Sequence, residues 1–574
     1  MAQSADVTFS NGSPAAGSSE RSILRRVIGI SEDSFWKEAK ELSRLAGPVF
    51  FSHLMVFNIS VVSSIFCGHL GKVELDAVSL ATAVINISGI SIGVGLSSAC
   101  DTLVSQTFGS KNLKRIGVIL QRGILILMIA CFPCWALFIN IKQILLAFKQ
   151  SPEVANLTQL YVKIFIPGLP ATFIYELESR YLQNQGIILP QIFTGFAANI
   201  FNAVINYILL YVLMLGVPGS AAANVVSQYC QGILLFIYIR WKKLYVGTWT
   251  GWSTDCLQEW GRFIQLAVPS MLMMCIEWWT YEIGIFLAGL VSEVELGAQA
   301  IIYQVLSAAY MIPLGYNVAV AVCVGNALGA GNPERAKTCA KVALLCAAIS
   351  CRSISTGCCA LVIALILAAI KDVVGYIFTT DKEIIRMVAH LDPLIATYHF
   401  FDAVTCVSTG VVIGSGKQKL GAIVNLIVFY AIGYPIGISL MFAAKLGILG
   451  LWSGMFTAVI VQVIFFQTVI FKLNWKKTSD QARVNAGVKN NVDSSNSPSG
   501  GQIEVIFTEK IEEVENNIDI EQLIDESSMT PSGITVGDVL PMKQLIIRRG
   551  LAFLSGPLIL AIGLVIHFTV AVDV

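Results

Sequence analysis

Charge is scarce in this sequence. Asp, Glu, Lys and Arg together make up 13% of the 574 residues, against 55% hydrophobic residues. Soluble domains carry about 25% charge. A soluble chain of this length would divide into about three or four domains, and here there are too few polar groups to cover them. Lipid is the solvent that suits such a composition. Neither sign is in excess, since 38 Lys+Arg stand against 37 Asp+Glu for a net +1, so nothing points to nucleic acid as a partner. Histidine is rarer still, with five in the chain. No two of them sit at metal-ligand spacing, which argues against a metal-dependent hydrolase. There is no Gly-Lys-Ser/Thr phosphate loop, and the apolar runs hold no Ser/Lys or Asp/Asp catalytic pattern. No enzyme chemistry, metal or cofactor is expected. Residues 1–44 lack a sustained apolar core and do not read as a cleavable signal peptide. The 14 cysteines fall mostly inside apolar runs and read as small packing residues. Cys131 and Cys134 have metal-like spacing, but no second Cys/His pair stands near to complete a tetrahedral site.

Long apolar runs are what the chain has in abundance. Crossing the hydrocarbon takes about 20 mostly apolar residues. By that rule spans are expected at 48–68, 77–100, 116–139, 160–178, 190–212 and 219–239, then at 264–290, 297–322, 339–369, 388–413, 420–443 and 448–471, with a last one at 550–570. The expectation is an all-α polytopic membrane protein of thirteen helices. Its segments are an N-terminal stretch (1–44), a six-helix bundle (45–243), a linker (244–263), a second six-helix bundle (264–473), a polar, disordered or loosely helical linker (474–547) and a C-terminal transmembrane helix (548–574). Lys111, Lys114, Arg115, Arg180, Arg240, Arg335, Lys337, Lys417 and Lys477 fall in alternate loops, which makes that side cytoplasmic. The N-terminus is then cytoplasmic and the C-terminus extracellular. Asn156 lies in an outside loop, in a glycosylation acceptor sequence.

The two six-helix sets repeat each other. Leu45-Ala46-Gly47-Pro48 opens the first and Leu266-Ala267-Val268-Pro269 the second; Val73-Glu74-Leu75 returns as Val294-Glu295-Leu296. A glycine-broken basic turn follows the second span of each half, at Ser105–Arg115 and at Gly325–Lys337. Paired bundles around a central cavity are the plan of an alternating-access transporter, although a channel can be built from such a repeat too.

Ionisable residues within spans cost about 2.5–3.5 kcal/mol each on insertion scales and so mark functional sites. The seventh span carries Glu277 and Glu282, which point to different faces because five residues leave them about 140° apart. Tyr281 lies one turn beyond Glu277. The tenth span carries Asp402 with Tyr398 and His399 on the same side. If these helices line one cavity, Glu277 and Asp402 form a paired-carboxylate site. Burial favours the protonated form of a carboxyl, so a proton and an organic cation can compete for the same charge. Trp278, Trp279, Tyr281, Tyr303 and Tyr310 offer cation–π faces. The plainer roles are interhelical hydrogen bonding for the acids and His399, and packing for the rings. Asn58, Asn86, Asn199, Asn202, Asn206 and Gln228 read as polar glue between helices. Arg352 sits in the ninth span without an obvious partner.

The stretches Phe66–Val78 (FCGHLGKVELDAV), Ser97–Lys114, Cys131–Phe138, Pro269–Trp279, Val324–Gly331 (VGNALGAG) and Tyr434–Gly454 resemble the multidrug and toxin extrusion (MATE) family, in its vertebrate branch. The resemblance implies a V-shaped pair of six-helix bundles, and a plasma-membrane exporter that exchanges small organic cations for protons, or alternatively for Na⁺. It implies that Glu277 and Asp402 are the cation- and proton-binding acids, with Glu282 and Gln304 beside them. Trp278, Tyr303, His399 and Cys67 match further functional positions, and Tyr281, Tyr310 and Asn86 join them as expected cavity residues. A monomer fits this plan. The sequence departs from the family in three places. Gln304 stands where relatives usually have Glu, and a glutamine cannot release a proton. Cys323 and Ile413 stand where relatives usually have Arg. These departures imply altered substrate range, weakened coupling or a transport-impaired paralogue.

Overall fold

The computed structural model describes residues 31–148, 150–349, 382–488 and 540–572. The first lobe comprises α1 (Glu32–Gly68), α2 (Val73–Gly109), α3 (Leu113–Ile139), the short α4 (Ile141–Ala147), α5 (Pro152–Phe165), α6 (Gly168–Gln183), α7 (Leu189–Val212) and α8 (Val217–Trp241). The second comprises α9 (Trp260–Gly289), α10 (Glu293–Gly329), α11 (Pro333–Ile349), α12 (Lys382–Gly414), α13 (Gln418–Ala443) and α14 (Ile448–Lys472). After them come α15 (Trp475–Asn485) and α16 (Met542–Val572).

Eleven of the described helices are long and apolar enough to cross a membrane, and twelve when α5 and α6 count as one broken span. The expected straight fourth span is instead this pair, bent by 55°. Pro167, just before α6, ends the helical hydrogen-bond ladder there. The expected ninth span begins with α11; its remainder, with Arg352, lies outside the described residues.

The internal repeat is visible in the backbone. Pro48 lies inside α1 and Pro269 inside α9. The seventh and thirteenth helices both end in a π-turn, Ile208–Val212 and Ser439–Ala443. Each is followed by a non-glycine residue with positive φ (Met214, Lys445) and then by a positive-φ glycine (Gly216, Gly447) that starts the next helix. Glycine is the residue that enters this conformation without strain.

Three expected boundaries move. α1 starts at Glu32, well before residue 45. Its Phe35, Ala39, Leu42 and Ala46 recur every three or four residues and pack one face against Val320, Val324, Ala336 and Ala340 of the second lobe. α9 starts at Trp260, within the expected linker. The polar stretch after residue 474, expected to be disordered or loosely helical, opens with a helix packed against both lobes. Asn474 caps α15 by accepting from the Lys477 N–H (3.0 Å), and Trp475, Ser479 and Ala482 are buried.

The lobes meet at the end that carries the basic turns. Thr102 of α2 donates to the Ile413 carbonyl (2.6 Å) and Gln106 to that of Gly414 (3.1 Å). Helix α15 bridges both lobes there. Ser479 donates to the Leu328 carbonyl (3.0 Å), while Asn112 and Arg115 of the first lobe donate to the carbonyls of Ala486 (2.9 Å) and Asn485 (3.1 Å). Helices α2 and α10 approach so closely that a Cβ on Gly329 would run into the Gln106 carbonyl oxygen, and one on Gly109 into that of Asn326. Both clashes are with backbone, which cannot swing aside. Gly329→Val is therefore expected to keep the lobes from meeting. Labels on the two basic ends would then sit several ångströms farther apart in a spin-label distance measurement, and an unchanged distance distribution would contradict this account.

The last helix, α16, lies along α3. Asn140 donates to the Gly563 carbonyl (2.9 Å), and Gly556 faces Phe132. Arg549 stacks over the Trp260 ring at 4.5 Å and donates to the Leu257 carbonyl (2.8 Å).

Candidate cation-binding site

Three helices of the second lobe build the site. Along α9, Glu277 and Tyr281 are one turn apart; along α12, Tyr398 and Asp402 are; along α10, Tyr303 and Tyr310 are two turns apart. Each pair shares a face, and the packing of α10 between the other two brings the faces together. Tyr310 donates to Glu277 Oε1 (3.0 Å), and the Tyr281 and Tyr398 hydroxyls pair at 2.8 Å. Asp402 is buried within electrostatic reach of Glu277. Glu277 itself is half-buried, the more exposed of the two acids. The Tyr398 ring is held edge-on by Trp452 at 5.1 Å, whose indole N–H donates to Gln299 (2.8 Å). Asn317 of α10 donates to the Cys406 carbonyl of α12 (2.6 Å), pinning the two helices one turn below Asp402.

The expected residues are distributed as follows. Glu277, Asp402, Tyr281 and Tyr310 converge with Tyr398. Tyr303 joins them through a ring contact with Tyr281 at 5.9 Å, and Glu282 lies within electrostatic reach of Tyr303. Trp278 and Gln304 are half-buried on α9 and α10. His399 is buried with its Nδ1 unpaired. Cys67 does not belong to this group. It is fully buried in the apolar core of the first lobe with Val78 and Ala81, where a small apolar side chain fills space, so it is not a cavity wall. Asn86 opens a π-turn (Asn86–Ile90) on α2 of the first lobe.

That turn marks a contact that sequence reasoning did not place. The Ile87 carbonyl accepts from Ser91 (2.6 Å) and also from the indole N–H of Trp279 (3.2 Å), across the lobes. A π-turn shifts the hydrogen-bond register by one residue and often marks a functional position. Nothing in the residue types around Ile87 announces it.

The first lobe holds its own polar clusters. Asn202 accepts from Ser63 (3.4 Å) and donates to Ser227 (3.0 Å), and Asn199 donates to the Met55 carbonyl (2.7 Å), which is the interhelical glue expected of these amides. Two cations expected in loops are instead buried in helices. Arg180 pairs with Asp101 at 2.7 Å with Glu176 at 3.9 Å, and Arg115 pairs with Glu259 at 2.8 Å.

Two helical bundles of the same design, fastened at the basic end, touching again through Trp279 and Ile87 and through Phe148 and Phe286, and carrying buried carboxyls among hydroxyls, define a membrane transporter rather than an enzyme. The comparisons give the particular family. The MatE family model matches residues 48–208 and 269–438, one stretch in each lobe. The chain belongs to this family of multidrug and toxin extrusion transporters. It is 56% identical to multidrug and toxin extrusion protein 1 of Danio rerio over 558 residues, covering 95% of this chain and 92% of that one. Identity to the Homo sapiens protein of the same name is 50% over 572 residues, 98% and 99% of the two chains. Among solved structures, the eukaryotic MATE transporter AtDTX14 superposes with a TM-score of 0.75 at 29% identity, over 79% of this chain and all of that one. A mutant of the Vibrio cholerae MATE transporter VcmN shares the fold at a TM-score of 0.67 and 17% identity, over 78% of this chain and all of that one.

Proposed function

We propose that this chain is a secondary antiporter of the plasma membrane that exports small organic cations in exchange for protons. The observation that carries the reading is the convergence of Glu277 and Asp402, from separate helices, in one cluster of tyrosines. Two acids within electrostatic reach of each other, one of them buried, can share a proton between them. An entering cation meets the same negative charge and the faces of Tyr281 and Tyr303, so proton and cargo displace each other. In this reading the basic end, where the lobes are fastened together, faces the cytoplasm. The structure is then the state closed to the inside, and the C-terminus lies outside.

The test is uptake of a labelled quaternary ammonium cation into proteoliposomes under an inside-acid gradient, with and without Na⁺. Proton exchange predicts gradient-driven uptake that is indifferent to Na⁺; uptake that follows a Na⁺ gradient instead would replace the coupling ion. Gln304, next to Tyr303 on α10, gives the second reading its footing. If the missing carboxylate weakens coupling, Gln304→Glu raises uptake severalfold, and an unchanged rate removes that reading.

A further inference from the structure

At the basic end, α10 and α11 are joined covalently. Cys323 and Cys339 form a disulfide with their Cα atoms 6.7 Å apart, within the range such a bond spans. Both are buried. Around them lies the attachment of α1 to the second lobe. Cys323 Sγ is 3.8 Å from Glu38 Oε2; Arg335 donates through Nε to Glu38 Oε1 (3.2 Å) and through Nη2 to both oxygens of Glu41 (2.9 Å each). Arg335 lies one helical turn before Cys339 on the same face of α11. Whatever fixes Cys339 against α10 therefore also fixes the guanidinium that clasps α1.

We propose that Cys323 and Cys339 are a reversible thiol modification site that latches the basic-end gate. Oxidation consumes two thiols. A low-molecular-weight disulfide such as oxidised glutathione takes up their two protons and two electrons and leaves as two thiols, while one S–S bond forms in the protein. The bonded pair holds the start of α11 against α10 and keeps Arg335 aimed at Glu38 and Glu41. Reduction returns a thiol proton to Cys323, which can then donate to Glu38, and frees α11 to shift as α1 parts from the second lobe. Disulfides on the cytosolic side of a membrane are commonly transient and redox-sensing rather than structural. This inference rests on the proposed transport reading and orientation.

The experiment uses the full chain in proteoliposomes, treated with oxidised glutathione or with dithiothreitol. Free thiols are counted by maleimide mass shift, uptake of a labelled quaternary ammonium cation is measured, and the Lys40–Glu334 distance is read from spin-labelled non-natural residues at those positions. Oxidation is expected to remove two thiols, to lower uptake at least fivefold and to collapse the distance distribution onto its shortest population, all reversed by dithiothreitol. Cys339→Ser and Cys339→Ala should lose both the two-thiol change and the inhibition. Full uptake by oxidised wild type, or equal inhibition of the Cys339 variants, would overturn the latch. If the reduced protein carries no cation, the transport reading fails, and the distance measurement decides the latch alone: distances unmoved by oxidation refute it.

Discussion

Glu277→Gln is expected to lower uptake driven by an inside-acid gradient at least tenfold while leaving a folded, inserted protein. Glutamine has nearly the shape of glutamate, and its carbonyl oxygen can still accept from Tyr310, which now donates to Glu277 at 3.0 Å. The packing of α9 against α10 is thus kept, and only the charge and the exchangeable proton are lost. Two opposite charges about 4 Å apart attract by about 4 kcal/mol at an effective dielectric of 20. Losing even a third of that is a tenfold change in affinity for the cargo. Tyr310→Phe is the graded control. It removes one hydrogen bond to a charged group, worth about 1.5–3 kcal/mol, but retains the carboxyl, so some gradient-driven uptake survives. Undiminished uptake by Glu277→Gln would show that the charge at this position takes no part in coupling.

The sequence carried a large share of this arrangement because membrane helices advertise themselves twice, by length of apolar run and by the scarcity of charges within them. Glu277 and Asp402 stood out as acids where acids are costly, and helical spacing alone placed Tyr281 and Tyr398 on their faces. What it could not carry was the relation between helices. Tyr310 could be named as a ring near the site, yet its choice of Glu277 as partner depends on how α10 lies against α9. Arg115 and Arg180 were misplaced for a physical reason. A lone cation near a span's end looks the same whether it meets water or a carboxylate from another helix. The polar composition after Asn474 hid α15 in a similar way, because that helix is held by its cap and by backbone carbonyls rather than by a broad apolar face. Cys323 stood out only as a replacement for the family's usual Arg, and nothing in the sequence paired it with Cys339, sixteen residues on, until the turn between α10 and α11 brought them together.

The pair Asp101–Arg180 leads to the second large effect, on stability rather than on transport. Arg180 is wholly enclosed in the first lobe, with Asp101 Oδ2 at 2.7 Å and Glu176 at 3.9 Å, and Asn184 donates to the other Asp101 oxygen (3.2 Å). Its guanidinium also lines a cavity of about 10 Å³ with His53, Tyr175 and Gln183, where His53 Nε2 and the Tyr175 hydroxyl are unpaired. Apart from His53, which must first take up a proton, the lining of this cavity offers no second cation to compensate a lost partner. Removing one member of a buried pair strands the other charge and costs about 3–5 kcal/mol, whereas removing both can be nearly neutral. Arg180→Met leaves two carboxylates facing each other, and Asp101→Asn leaves Arg180 with only the more distant Glu176. Each single variant should therefore unfold at a markedly lower temperature in detergent. The double variant Asp101→Asn/Arg180→Met should regain a large part of the loss, because Glu176, with no cation beside it, can take up a proton and become neutral. The comparison is a thermal unfolding series of the four proteins in one detergent. Strict additivity, with the double variant as unstable as the two single losses combined, would mean that the residues act independently and that the pairing at 2.7 Å contributes nothing of its own.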